Sequence, residues 1–471
     1  MNKNNLLIVL TLSAIFLFWL LLTKDNFFHW DEWNFFSIFN KDPKYFLFHS
    51  YGEHYIPLTE LNHYIFFKLF GLNYFPFQLP LLSFHVLNTL ILYKTILKET
   101  KNAKIALLSI PIFGISSVYI DNITWAVGIT GVGSALFVSL GYFSYIKFIE
   151  TKKNLFLVIS SLSLLISPLF NDFGLLAAFS FCIIVTISDK LDKDKLRVFI
   201  AYLLTGIFNL FIITYFSGNS ATKVLPAISF GTAYKILEFI IFGIIRGTVV
   251  RFVYPGLHVL RDGQQIKLIF FIALTIIIAL LITKVLYAWL KDRKTRRTRI
   301  NKIIIYFSLI SVGYLAASIG RATYGLGQAG IPRYAYQSFY FLVVFGAIVV
   351  KDFRSKWRTV AISLILIWII NLYSIFQLEY GFWKIMMNRD RQFISEVSYL
   401  FSKNKVIYDF EPKGISPKLR LSDYWYLQPK NQPVMFVSSD KFDSKSCRYC
   451  MDEKSRQIYI KLSSEYQRKF D

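Results

Sequence analysis

The sequence predicts an α-helical polytopic membrane protein, and three observations predict it. Charged side chains make up only 17% of the 471 residues while 55% are apolar, for a mean hydropathy of +0.45. A soluble chain of this length carries nearer ~25% charge. Apolar runs of about 20 residues, each enough to cross a ~30 Å hydrocarbon layer as a helix, recur from end to end. The basic residues are not scattered but gather in short segments between those runs, as loops on the cytoplasmic side of a membrane require.

The runs fall at 6–23, 78–97, 104–120, 127–148, 154–170, 173–188, 197–217, 266–290, 301–320, 335–350 and 358–378. The first is followed by Thr23-Lys24-Asp25-Asn26 with no small-residue cleavage site, so it reads as a retained span and not a signal peptide. Segment 233–250 is apolar enough to cross but holds Glu238 and Arg246. Were it to cross, the most basic segment of the chain, Lys291 to Lys302, would fall outside. With 233–250 laid on or dipping into the outer leaflet, every basic cluster falls inside: Lys3; Lys98, Lys101 and Lys104; Lys152 and Lys153; Lys190 to Arg197; 291–302; and Lys351 to Arg358. The expectation is eleven spans, N-terminus cytoplasmic and C-terminus outside, with twelve or thirteen as the alternatives. The net charge of +24, which in a soluble protein would suggest nucleic acid, is then a signal of topology in a cell-membrane protein surrounded by lipid, and no nucleic-acid partner is expected.

Residues 1–378 form the expected transmembrane module. Residues 379–471 form a small extracytoplasmic α/β domain, with helical periodicity at 393–401 and strand-like runs at 405–410, 434–439 and 457–462. Cys182 reads as a small buried hydrophobe. Cys447 and Cys450 read as a local disulfide or two free thiols, because one CxxC lacks the second pair or the histidines a zinc site needs.

Three outer stretches carry candidate chemistry. Loop 24–77 opens with His29-Trp30-Asp31-Glu32-Trp33-Asn34, two carboxylates held at headgroup depth by tryptophans, able to deprotonate a hydroxyl or hold a cation. The plainer alternative is a pair of solvated charges. It continues as Tyr51-Gly52-Glu53-His54-Tyr55-Ile56-Pro57, where Pro57 starts a short interfacial helix with Leu58, Leu61, Ile65 and Leu69 on one face, ending at Gly71. Glu53, His54, Glu60 and His63 are its polar neighbours. Between two later spans lies Gly320-Arg321-Ala322-Thr323-Tyr324-Gly325-Leu326-Gly327-Gln328, then Pro332-Arg333-Tyr334. Glycines admit an anion to the backbone and arginines hold a phosphate with several donors, or else the arginines simply snorkel to lipid. Asp121 and Asp172 stand at outer ends of spans, as site acids or helix caps. Arg246, Arg251 and His258 are weaker candidates for a donor phosphate.

A signal-anchor span, adjacent acids opening the first outer loop, the helix of residues 54–72 and the 320–334 arginines together resemble the GT-C superfamily of membrane glycosyltransferases. Protein O-mannosyltransferases and aminoarabinose transferases belong to it. The resemblance covers roughly residues 5–440 and is strongest at 29–71 and 320–340. It implies a GT-C-like bundle and transfer of a sugar from a polyprenyl-phosphate donor, with inversion, outside the membrane. Asp31 would be the base and Glu32 an acceptor contact or a support for it. Arg321 and Arg333 would hold the leaving phosphate, and Glu53, His54, Asp121, Asp172, Arg251 and Tyr334 would contact substrates. The acceptor, whether lipid, glycan or protein, is unspecified. A divalent metal, Mg or Mn, stays an open alternative with its ligands unknown. The rival classes are a transporter or flippase and a surface-polysaccharide polymerase or ligase. Transporters carry ionisable groups near the midplane, whereas here they cluster at the outer ends of spans.

Overall fold

The computed structural model of the chain describes residues 3–41, 51, 54–187, 193–217, 230–253, 276, 280, 283–291, 293, 295–322, 325–352, 357–403, 406–409, 419, 423–424, 427–428 and 435–438. Helices form at the apolar runs. α1 (Lys3–Thr23), α2 (Asp31–Lys41) and α3 (Pro57–Phe70) precede α4 (Phe75–Thr100), α5 (Ala103–Gly114) and the short α6 (Ile120–Thr124). Then come α7 (Ile129–Thr151), α8 (Asn154–Phe170), α9 (Leu175–Ile187) and α10 (Lys193–Ser217). α11 (Phe230–Phe242) runs on through a π-helical stretch, Gly243–Val250, to Val253. α12 (Arg296–Arg321), α13 (Ala335–Asp352), α14 (Trp357–Leu378) and α15 (Lys384–Lys403) complete the helices, and β1 (Val406–Asp409) pairs in parallel with β2 (Met435–Ser438).

Among the described residues, 7 helices are long and apolar enough to cross a membrane, or 8 with α5 and the 117–124 segment counted as one bent span; α8 and α9 are shorter apolar helices. Most of the expected span 266–290 lies outside the described residues, as do the strand expected at 457–462, Cys447 and Cys450. Cys182 is buried in the main core, as its apolar setting in the sequence suggests.

The grouping of basic segments on one side is visible in the contacts. Lys98 pairs with Glu150, Lys152 with Asp194 at 3.0 Å, Lys302 with Glu99 at 3.0 Å and Arg299 with Asp352 at 3.2 Å. Helix ends distant in sequence therefore meet at one end of the bundle, and every helix leaving that end delivers its other terminus to the opposite end. α12, with 26 residues and so ~39 Å long, runs from the basic Arg296 to Arg321 at that opposite end. Trp289 belongs to the basic end, where its indole donates to Asp352 at 2.7 Å. Arg251 belongs to the other end, donating to Gly330 O at 2.7 Å. Arg251 and Trp289 therefore lie at opposite ends of the bundle. α11 packs on α12 and on the 326–330 loop at the acidic end, with Tyr234, Leu237 and Ile241 exposed.

Two apolar cores result. The larger joins the spanning helices. The second is built from the segment after α1 (Phe28, Trp33, Phe35, Phe36, Phe39), α4's entry (Phe77) and α15 (Met387, Phe393, Val397, Phe401). The expected domain boundary at 378 falls inside a helix: Ile362–Lys403 is continuous through the π-helical stretch Glu379–Trp383. The segment that follows the last span is thereby delivered directly onto the segment after α1.

Candidate functional site

α2 starts at Asp31, with Asp31 and Glu32 in its first turn, where carboxylates complement unpaired backbone N–H groups and the helix dipole. The chain enters that turn through Trp30, whose φ of +52° is left-handed. A bulky residue there costs roughly 1–3 kcal/mol and persists only where neighbours enforce it. Those neighbours are aromatic: Trp30 stacks on His29 at 5.2 Å between centroids and meets Trp125 edge-on at 6.5 Å.

The two adjacent acids differ in setting. Glu32 is fully buried. It accepts from His29 N at 2.5 Å, Trp125 Nε1 at 2.9 Å and Val127 N at 3.3 Å. Burial pushes its carboxyl well above the usual range, against the pull of those donors. Its oxygens are occupied in tying the 125–127 turn to α2. That turn is tight: a Cβ on Gly128 would overlap the backbone of Asn122. Asp31 is only partly buried and accepts from the Tyr51 hydroxyl at 3.2 Å, which itself accepts from Asn34 Nδ2 at 2.7 Å. Burial and the charge of Asp31 raise the Tyr51 phenol, so it stays a neutral donor.

Arg333 links Asp31 to a second acid and a second arginine. Asp121, in α6, lies within electrostatic reach of Arg251 and Arg333 and stands beside Trp383. Arg333 lies within electrostatic reach of both Asp31 and Asp121. Its guanidinium sits 5.4 Å from the centroid of the Tyr334 ring. The 325–334 loop that presents it has Gly325 at φ +94°, a conformation suited to glycine. Arg251 is buried and donates to Gly330 O in the same loop. Among the described residues, the interactions that draw these four together do not include Arg321, which is half-buried at the end of α12.

His54 and Asp172 meet, His54 Nδ1 standing 2.8 and 3.0 Å from the two carboxylate oxygens. Glu53 and His258 lie outside the described residues. The His54–Asp172 pair offers two donors to a cation, and among the described residues no group of three or more His, Cys, Asp or Glu is arranged around a metal position.

α3 carries its faces as a lipid-interface helix does. Ile65 and Leu69 are exposed while Thr59, Glu60 and His63 are buried, because the solvent outside is hydrocarbon and the polar side turns inward. Among the described residues Glu60 has both oxygens without a hydrogen-bond partner, and burial pushes it up to about 8. His63 Nδ1 donates to Thr59 O at 2.9 Å, and burial lowers the ring to about 4.

Four groups escape sequence reading: Tyr51, His29, Trp383 and Asp390. Tyr51 and His29 stand inside the motifs already quoted, but their partners are remote in sequence. Asp390 lies in a mixed-charge run, Arg389-Asp390-Arg391, that gives no sign of burial, yet it is 1% exposed.

No family model matches the chain, and no curated protein matches it in sequence. Among solved structures it is similar to ArnT from Cupriavidus metallidurans bound to undecaprenyl phosphate, with a TM-score of 0.54 at 12% identity over 96% of this chain and 87% of that one. The chain therefore shares the helical membrane-protein fold of that structure.

Proposed function

We propose that the protein transfers a monosaccharide from a polyprenyl-phosphate-linked donor to an acceptor hydroxyl on the outer face of the cell membrane, with inversion at the anomeric carbon. The observation that carries the reading is the linkage, through Arg333, of Asp31 to Asp121 and Arg251, from four remote segments, at the end of the bundle opposite the basic loops. The positive-inside rule assigns that acidic end to the outside. The fold is that of a protein whose structure holds undecaprenyl phosphate, which supports a donor of the same class.

In this reading the acceptor oxygen attacks C1, its proton passes to the Asp31 carboxylate, and the C1–O bond breaks with its electron pair left on the polyprenyl phosphate. Arg333, with Arg251 behind it, neutralises the charge that develops on that phosphate. Tyr51 holds Asp31 through its hydroxyl, and Asp121 fixes the two guanidinium groups. Glu32 supports Asp31 by building the turn on which it stands. Arg321, at the end of α12, stands outside this linkage among the described residues.

Transfer of radiolabelled sugar from a polyprenyl-phosphate carrier, in proteoliposomes holding the purified chain, tests the reading. Asp31→Asn should abolish transfer while expression and melting temperature stay unchanged. Activity within about threefold of wild type would remove Asp31 as the base, because a general base contributes ~10²–10⁴-fold.

A further inference from the structure

Asp390 in α15 reaches back across most of the chain. Its Oδ2 lies 2.6 Å from His29 Nδ1, with both side chains at most 3% exposed. A carboxylate only accepts, so Nδ1 carries the hydrogen and the bond is charge-assisted. The Arg389 guanidinium stands 3.7 Å from the other carboxylate oxygen. The next residue, Arg391, donates to Asp25 O at 2.8 Å and Asn26 O at 3.2 Å and covers the ring of Phe27. Phe27 N in turn donates to Met387 Sδ at 3.5 Å. α15 therefore grips residues 25–29, the five that precede the left-handed Trp30 and the acid after it.

We propose that Asp390 is a positioning residue: through the buried His29 ring it holds Trp30 in its left-handed turn and so sets the direction of Asp31. The proposal rests on the transfer reading for its kinetic consequence. Its structural argument is independent of that reading. His29 is held at three points: its N–H on Glu32, its carbonyl accepting from Trp125 Nε1 at 3.0 Å, and its ring on Asp390. The first two lie within the layer that carries Asp31. Only the third comes from α15, and it fixes the ring that stacks on Trp30. Without it the imidazole keeps no polar anchor among the described residues, the stack loosens, and Trp30 can relax toward negative φ, which swings the start of α2. A displacement of ~1 Å at a reacting group is enough to lower turnover ~10²-fold. Because α15 is also the route from the last span into the C-terminal segment, the same contact makes Asp31 geometry depend on how that segment is seated.

The test uses the full-length protein in nanodiscs. Asp390→Ala and His29→Ala should lower kcat about tenfold or more with the donor KM within about twofold, the pattern of lost transition-state geometry with intact binding. His29→Asn keeps an N–H donor near the Nδ1 position but loses the ring that stacks on Trp30, so it should fall between wild type and His29→Ala. Backbone amides of residues 28–33 should exchange about tenfold faster in Asp390→Ala, while those of α4 and α7 do not change. Asp390→Asn, a weaker acceptor of equal size, covers the case in which Asp390→Ala does not fold, and should give a smaller change in the same direction. Wild-type kcat in the folded Asp390 variants or in His29→Asn, or unchanged exchange at 28–33, would each overturn the proposal. If the wild-type protein transfers no sugar from any polyprenyl-phosphate carrier, the transfer reading fails, and the exchange measurement alone still decides on Asp390.

Discussion

His54 and Asp172, 118 residues apart, are joined at 2.8 Å, and the pair reaches Asp31 through one intermediary. His54 closes a two-bond bridge with Tyr51, whose N–H donates to His54 O at 2.7 Å and whose carbonyl accepts from His54 N at 2.9 Å. Tyr51 then donates to Asp31. Three candidates that read separately in the sequence, Asp172, His54 and Asp31, thus form a line through Tyr51.

That line predicts non-additivity. Tyr51→Phe removes the hydroxyl on Asp31 and should lower kcat about tenfold; Asp172→Asn frees the hairpin and should lower it severalfold by misplacing the same hydroxyl. Combined, the two should cost little more than Tyr51→Phe alone. Simple multiplication of the two losses would show that Asp172 acts elsewhere. Residues sharing one hydrogen-bond network typically couple by ~0.5–3 kcal/mol.

Glu60 predicts a pH dependence of stability. Its folded value is raised from 4.5 to about 8, so between those limits the folded state keeps a proton that the unfolded state has lost. Stability therefore falls as pH rises through that window, by up to a few kcal/mol. Glu60→Gln should flatten the decline of melting temperature between pH 5 and 8 and raise the value at pH 8. An unchanged slope would show that another group titrates there.

Glu32 predicts a difference between two substitutions. Glu32→Ala strands two backbone N–H groups and leaves the Trp125 indole only its weaker contact with His29 O, at about 1–3 kcal/mol per orphaned donor. Glu32→Gln retains the oxygen facing His29 and Trp125 and loses the acceptor for Val127. The melting temperature should fall steeply for Glu32→Ala and modestly for Glu32→Gln. Equal losses would mean that the charge of Glu32, and not its accepting oxygens, holds the turn.

Much of this was legible in the chain because lipid imposes simple rules. Apolar run length and loop charge placed the helices on which Lys302 meets Glu99 and Arg299 meets Asp352, and they separated that end from Asp31, Asp121 and Arg333. The polar inward face of α3 was legible for the same reason. What was not legible depends on contacts over hundreds of residues. Nothing near Asp390 announces His29, and nothing near Trp383 announces Asp121, since each pairing exists only once α14 and α15 run on unbroken across residue 378. Arg321 and Arg333 read alike in sequence, yet the loop 325–334 turns Arg333 toward the two acids and leaves Arg321 at the helix end.

That contrast yields the last prediction. Arg333 Nε has no hydrogen-bond partner among the described residues, and the guanidinium lies over the Tyr334 ring with two carboxylates nearby. A fork held in that way presents donors to a phosphate in fixed geometry, which a lysine's single ammonium cannot copy. Arg333→Ala should raise the donor KM and lower kcat together, by about a hundredfold in kcat/KM, and Arg333→Lys should recover only part of it, since a lost charge-assisted pair is worth ~1.5–3 kcal/mol. Arg321→Ala should affect the donor KM by only severalfold and leave kcat in place, because among the described residues no interaction draws it to the two acids. Steady-state kinetics with a water-soluble short-chain polyprenyl-phosphate sugar separate the two roles. A larger kcat loss for Arg321→Ala than for Arg333→Ala would reverse the assignment and place the leaving phosphate at the end of α12.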